Sequence, residues 1–252
     1  MLNREHLALL VLTKGGPGFP SSRFRAYQFE PLFKRDNIPV RMSKVPRGLF
    51  DRLRLYWRHR GSQTLLIQKR FFNPLECWIL RKLYSFIVYD FDDAMGVPTS
   101  NKRENPAHLR QRARQLRAMC SFVDQVICCN DMLRELSGRS DAILLPTSYA
   151  APDDPPAQKR FEQINLLWIG MDMTKLGIWE NALNELAREK RVSVTVCSHK
   201  PDPPNLPFEF AYRQWNPDVE RELLEWGNVG VMPLPDDANS RGKCGFKLIQ
   251  YM

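Results

Sequence analysis

"LALLVLTKGGPGFPSSRFR", residues Leu7 to Arg25, holds the pattern on which the fold turns. Leu7–Thr13 is a short apolar run with strand character. "KGGPGFPSS" closes it with glycines and prolines that break any regular element, and Ser22–Arg35 follows with helical character. A strand that passes through a glycine loop into a helix opens a strand–helix–strand unit, whose strands pair in parallel.

The same alternation continues outward from this stretch. Strands are expected over Ile38–Val45, Thr64–Gln68, Phe86–Tyr89, Gln125–Cys129 and Ala142–Leu145. Helices are expected over Arg47–Arg60, Pro74–Tyr84, Pro106–Cys120 and Met132–Ser137. Arg47–Arg60 sets Leu49, Phe50, Leu53, Tyr56 and Trp57 against Arg52, Arg54, Arg58 and Arg60, a basic amphipathic helix. "PTSYAAPDDPPAQKR" then breaks all periodicity and reads as a linker. The alternation restarts with strands Ile164–Ile169, Val192–Cys197, Glu209–Arg213 and Val229–Leu234, helices Lys175–Lys190 and Val219–Trp226, and a last helix from about Phe246. The expected organisation is α/β: a domain over residues 1–147, a linker over 148–160, and a second domain over 161–252, each a doubly wound, Rossmann-like sheet. In such sheets ligands bind at the carboxyl ends of the strands.

Composition bounds the function classes. Of 252 residues, 43% are hydrophobic and 26% charged, which suits a soluble globular protein. The longest apolar runs are too short to cross a bilayer. Six cysteines without CxxC or Cys/His ligand spacing read as reduced thiols, hence a cytoplasmic setting. The net charge of +9 is uneven: residues 1–145 carry 25 Lys and Arg against 13 Asp and Glu, and the remainder 12 against 15. A basic half suits nucleic acid, an anionic membrane surface or a phosphorylated substrate. No zinc-finger spacing, RNP-type aromatic motif or zipper supports nucleic acid.

Three loops carry candidate chemistry. Gly15 and Gly16 let the backbone approach a ligand ahead of a helix, and Arg23 and Arg25 favour an anion as an acceptor or phosphate contact. The bland alternative is a glycine–proline turn, since the loop fits neither GxGxxG nor GxxxxGK[ST]. "VYDFDDAMG" ends a strand with Asp90, Asp92 and Asp93, which suit a catalytic base, a sugar contact, a Mg²⁺ site or simply a capped turn. "SRGKCGFKLIQYM", Ser240–Met252, repeats the phosphate-cradle logic with Lys243, Gly245 and Lys247, or is a solvated basic loop.

Together these stretches resemble a known family. "VGVMPLPDDANSRGKCGFKLIQYM" closely resembles the donor-binding segment of family 4 (group 1) glycosyltransferases of the GT-B fold, and "SSRFRAYQFEPLFKRDNIPV", "YDFDDA", "LLPTS" and "LLWIGM" fall in the matching order. The resemblance implies sugar transfer from a nucleotide-sugar co-substrate, usually with retention, and with no obligatory metal or other cofactor. The acceptor, a glycan, lipid-linked or small molecule, then lies on the N-terminal domain. Donor-binding positions carried over are Gly15, Gly16, Lys175, Lys243, Gly245, Phe246, Lys247 and Gln250. Asp92 and Asp93 fall where many members have a catalytic histidine. The chain departs from the pattern at Gly242 and Gln250, where two glutamates are common. It also stops where the family continues, so an incomplete second domain is the expectation. The alternative is a non-catalytic basic module with a vestigial donor half, and the basic helix suggests peripheral contact with the inner face of a membrane.

Overall fold

The computed structural model describes residues 8–100, 104–150, 163–171, 173–188, 192–202, 205–206 and 208–252, without the side chains of residues 174, 175, 178 and 187. Part of the expected linker and the start of the first strand at Leu7 fall outside these residues. Two compact units form: one runs through Ala150 and includes Asp237–Cys244, the other runs to Asp236 and includes Gly245–Met252. Asp237–Cys244, inside the span read as the second domain, therefore packs with the first unit.

The first unit is built on β1 (Leu9–Thr13), β2 (Val40–Lys44), β3 (Thr64–Gln68), β4 (Phe86–Phe91), β5 (Gln125–Cys128) and β6 (Ile143–Leu144), in the order β2-β1-β3-β4-β5-β6. All its pairings are parallel. β1 pairs with β2 on one side and β3 on the other, so the chain changes direction between β1 and β3, which opens a crevice at their carboxyl ends. The helices are α1 (Pro20–Arg25), α2 (Glu30–Arg35), α3 (Leu49–Arg58), α4 (Pro74–Leu83), α5 (Pro106–Phe122) and α6 (Asp131–Ser137). Leu10, Leu12, Leu65, Ile67, Ile87 and Tyr89 from the strands pack with Tyr56, Leu80 and Leu116 from the helices.

Local chemistry sets the helix boundaries. α4 and α5 each open with an Asn-Pro pair, Asn73-Pro74 and Asn105-Pro106. The asparagine oxygen accepts a first-turn N–H, and the proline sits where its missing N–H costs nothing. Proline elsewhere interrupts. The helix expected over Ser22–Arg35 divides into α1, a 3-10 turn at Tyr27–Phe29 and α2, because Pro31 is accommodated only in the first turn of a new helix.

The second unit orders β7 (Ile164–Ile169), β8 (Val192–Ser198), β9 (Ala211–Gln214) and β10 (Val229–Gly230) as β10-β7-β8-β9, again all parallel. A 3-10 segment (Met173–Trp179) precedes α7 (Glu180–Arg188), and α8 (Pro217–Trp226) opens on a third Asn-Pro pair. Period-two alternation gives the sheet two apolar faces. Leu166, Trp168, Val194 and Val196 build one core, and Leu167, Ile169 and Cys197 build the other with Leu223. β10 stops at Gly230 rather than Leu234, since Pro233 and Pro235 cannot donate to a ladder. α9 (Ala238–Arg241), unforeseen in the sequence, belongs to the returning segment, and α10 (Phe246–Tyr251) to the second unit. No helix among the described residues is long and apolar enough to cross a membrane.

Candidate functional site

In the first unit the carboxyl ends of β1, β3 and β4 bring the charged loops together. Thr13 Oγ1 donates to the Gly15 carbonyl at 2.8 Å, and the Gly15 N–H donates to Ser22 Oγ at 3.0 Å. Ser22 Oγ and the Lys14 N–H both donate to Gln68 Oε1, at 2.9 and 3.0 Å. The glycine loop is thus stapled to the end of β3. Gly15 is required sterically, because a Cβ there would lie 2.3 Å from Phe19 Cβ, whereas one at Gly16 would meet open space. With its N–H already donated, Gly15 shapes the loop rather than cradling an anion. The other end of Gln68 differs: Nε2 is buried and makes no hydrogen bond. Orphaned buried donors of this kind are uncommon and concentrate where a ligand or water completes the set.

Lys69 follows Gln68 in a left-handed conformation, φ 54°, which a residue with a Cβ adopts only at a cost of about 1–3 kcal/mol. Its ammonium contacts Asp92 Oδ1 at 2.9 Å, pairs closely with Asp93 and lies 3.2 Å from Ser21 Oγ. Burial works against the charge of both Lys69 and Asp92. Their mutual attraction outweighs it, raising the lysine pKa and lowering that of Asp92. Asp92 is nearly covered, while Asp93 has 46% of its side chain exposed. Of the two candidate catalytic carboxylates, Asp93 is the one open to a ligand.

Asp93 and Lys69 line a cavity of about 200 Å³ with Lys14, Glu104, Arg112 and Lys243. Glu104 accepts from the Thr99 N–H at 3.1 Å. Among the described residues, Lys14, Arg112 and Lys243 make no ion pair, and together with Lys69 they outnumber the lining carboxylates Asp93 and Glu104, so the cavity is net cationic. The Lys14 pKa is lowered, first by desolvation and then by the positive charge of Lys69, with Asp93 opposing and Arg112 adding to the fall. Lys243 reaches this cavity because the returning segment is anchored to the first unit. The Ser100 N–H and Oγ both donate to Asp237 Oδ2 at 2.8 Å, and Asn130 Nδ2 donates to the Lys243 carbonyl at 3.2 Å.

Arg25 takes a different place from the one its sequence suggests. Its side chain is 3% exposed and forks onto Asp90, with Nη1 donating to the Leu145 carbonyl at 2.6 Å. It ties α1 to β4 and to the chain after β6 and presents nothing to a ligand. Asp90 is equally committed, so each carboxylate of the three-aspartate cluster read as a possible metal site already faces a cation, Arg25 or Lys69. Arg23 is half-buried, with its guanidinium 4.7 Å from the Phe24 ring.

In the second unit Gly245 turns the chain into α10 with a left-handed φ of 64°. Phe246 and Lys247 follow, and Lys247 Nζ donates to Gln250 Oε1 at 2.5 Å while Gln250 Nε2 donates to Glu220 Oε1 at 2.7 Å. Trp215 Nε1 also donates to Glu220. Gln250 is 5% exposed, so it links Lys247 to Glu220 rather than facing a ligand, against its reading as a donor-binding position. This chain gathers beside the carboxyl ends of β8 and β9, where Ser198 Oγ is buried without a hydrogen-bond partner. The Ile169 N–H donates to the Tyr251 hydroxyl at 3.0 Å, fixing α10 to the end of β7. The Lys175 side chain lies outside the described residues.

Sequence reading passed over Lys14, Gln68, Lys69, Arg112 and Glu220. "QKR" directly after a strand, like "TKGG", was a usable signal for the first three. Nothing local marks Arg112 or Glu220, which are ordinary charged residues on helices.

No protein-family model matches the chain, and no curated protein matches it. Among solved structures it is similar to Anabaena Alr3699/HepE in complex with UDP and glucose, at 13% identity and a TM-score of 0.47, over 87% of this chain and 72% of that one. It is also similar to the glycosyltransferase SnogD from Streptomyces nogalater, at 12% identity, TM-score 0.40, over 88% and 74%. A third is Acinetobacter baumannii MurG, at 10% identity, TM-score 0.37, over 94% and 82%. Likeness at these levels does not extend to chemistry, and the fold assignment rests on the two parallel sheets themselves.

Proposed function

We propose that this protein is a glycosyltransferase of the GT-B type, moving a sugar from a nucleotide-sugar donor to a glycan, lipid-linked or small acceptor, with retention at the anomeric carbon. One observation carries the reading. Two all-parallel sheets each gather charged groups and an orphaned buried polar atom (Gln68 Nε2 in one, Ser198 Oγ in the other) at the carboxyl ends of their strands. The resemblance of "RGKCGFK" and its surroundings to the donor segment of group 1 enzymes supports assigning the donor to the second unit.

On this reading Gly245 and Phe246 give the donor phosphates a close backbone approach, and the Lys247 ammonium balances charge on the departing diphosphate. Glu220 and Gln250 act as positioning residues that hold Lys247. Lys175 adds a further cation, and Gly16 leaves its loop open for the backbone to approach the donor. In the first unit Asp93 orients the acceptor hydroxyl, whose oxygen bonds to the anomeric carbon on the face the diphosphate leaves and whose proton passes to the departing phosphate oxygen. Lys69 and Asp92 fix the Asp93 carboxylate, and Lys14, Arg112 and Lys243 receive an anionic group of the substrate. The nucleotide-sugar is the co-substrate, and no other cofactor enters. Six free cysteines support a reducing, cytoplasmic setting.

Incubation with a panel of UDP-, GDP- and TDP-sugars, with and without simple sugar and polyprenyl-phosphate acceptors, tests this through released nucleoside diphosphate. Release from at least one donor, lost in Lys247→Ala, is the expected result. Failure to bind or cleave any donor overturns the proposal.

A further inference from the structure

The basic amphipathic helix singled out in the sequence, α3, plays no part in the proposed transfer, and the structure leaves its apolar side uncovered. Tyr56 is fully buried against the sheet. Phe50 is 88% exposed and Trp57 61% exposed, one above the other on a flanking side of the helix. α4 packs beside α3 and adds Trp78, also 61% exposed, and Leu75 at 62%. Between the two helices lies an open apolar groove of about 590 Å³, edged by Arg54 and Lys82. Single exposed apolar residues are ordinary, but a contiguous set with two tryptophans and a phenylalanine marks a surface that meets something.

The charges around the groove say what it meets. The Arg60 guanidinium stands 4.4 Å from the Trp57 ring, and Lys82 Nζ stands 6.0 Å from that of Trp78. Arg47, Arg54, Arg58 and Arg60 are exposed on or beside α3. Within α3, Arg52 is the cation paired with a carboxylate, buried Glu76 at 2.6 Å, which removes the one α4 carboxylate from the surface. Asp51 is the only acid within α3. A second copy of this chain would bring these like charges face to face in a two-fold contact, which is unfavourable. An anionic bilayer meets both halves of the pattern. Tryptophan rings favour the headgroup level, phenylalanine the acyl boundary, and arginines reach phosphates from alongside.

We infer that the α3–α4 face of the first unit is a peripheral docking surface for anionic phospholipid membrane, with Phe50, Trp57 and Trp78 entering the interface and Arg54, Arg58 and Lys82 contacting lipid phosphates. This does not rest on the proposed sugar transfer, because neither a donor nor an acceptor enters the argument.

Co-sedimentation tests it, using the full chain with vesicles of phosphatidylcholine alone or mixed with an equal amount of phosphatidylglycerol. Binding to the mixed vesicles only, falling with added salt, is expected. Reversing three charges (Arg54→Glu, Arg58→Glu, Lys82→Glu) should weaken it about a hundredfold or more, since each cation near such a surface contributes about fivefold. Trp57→Ser with Trp78→Ser should abolish pelleting while leaving the circular dichroism spectrum and melting temperature unchanged, because both side chains face solvent. Recovery in the supernatant with both vesicle types overturns the inference. So does equal binding to both types, or a concentration-dependent dimer that the tryptophan substitutions dissolve.

Discussion

Arg25 and Asp90, 65 positions apart, form a forked ion pair that is almost wholly buried beneath the loops of the first unit. The neighbouring carboxylate raises the arginine pKa despite burial, which acts the other way. Asp90→Asn leaves a buried guanidinium without its counter-charge and should cost about 3–5 kcal/mol, a large share of a domain's total. Urea denaturation measures it. A loss below about 1 kcal/mol would show that Arg25 has another way to be satisfied.

Gly230 and Tyr251 set a second stability test. A Cβ at residue 230 would lie 2.1 Å from Tyr251 Cγ, so α10 seats on β10 only while that position lacks a side chain. Gly230→Ala should destabilise the second unit by about 1–3 kcal/mol and raise amide exchange across residues 246–251. Adding Tyr251→Ala to Gly230→Ala should remove most of the increment attributable to the clash. Strict additivity of the two would contradict the contact.

The returning segment should loosen with acid. Hydrogen bonds from the Ser100 N–H and from Ser240 lower the Asp237 pKa from its ordinary 3.8. A depressed carboxylate pKa contributes stability that is present above the ordinary value and is lost as pH falls through the lowered one. Amide protection in residues 237–244, corrected for intrinsic rates, should hold from pH 7 to about pH 5 and decline below about pH 4. Protection that rises on acidification would reverse the assignment.

Donor binding should not depend on a divalent cation. The Asp90, Asp92 and Asp93 carboxylates already face Arg25 and Lys69, and the proposed donor contacts are lysines and backbone. Affinity for a nucleotide-sugar should therefore be unchanged by excess EDTA. A loss restored by Mg²⁺ or Mn²⁺ would return the aspartate cluster to the role of a metal site.

Much of this architecture is legible residue by residue. Apolar runs such as Leu9–Thr13 and Ile164–Ile169 locate strands because both sheets are buried on two faces. What escaped was long-range. Pro31 divides a helix whose apolar spacing looks continuous, and the pairing of Gln250 with Glu220 spans 30 positions without a local mark. Arg25 and Lys69 illustrate the limit best. Both are single basic residues near a strand or loop end. Only the fold shows that one is sealed against Asp90 while the other holds the carboxylate lining the cavity. The motif "RGKCGFK" was visible, but nothing in its letters shows that Lys243 packs with one unit and Lys247 with the other.

The central claim is that the start of α10 receives the phosphates of a nucleotide-sugar. Titrating the best-bound nucleotide-sugar into ¹⁵N-labelled protein, and following backbone amide shifts in wild type and Lys247→Ala, tests it most directly. The account predicts that the largest shifts fall on Gly245, Phe246 and Lys247, and that the substitution weakens affinity about tenfold to a hundredfold, the range for a charge-assisted hydrogen bond. Shifts that leave residues 245–247 unmoved, or an affinity indifferent to Lys247→Ala, would contradict it.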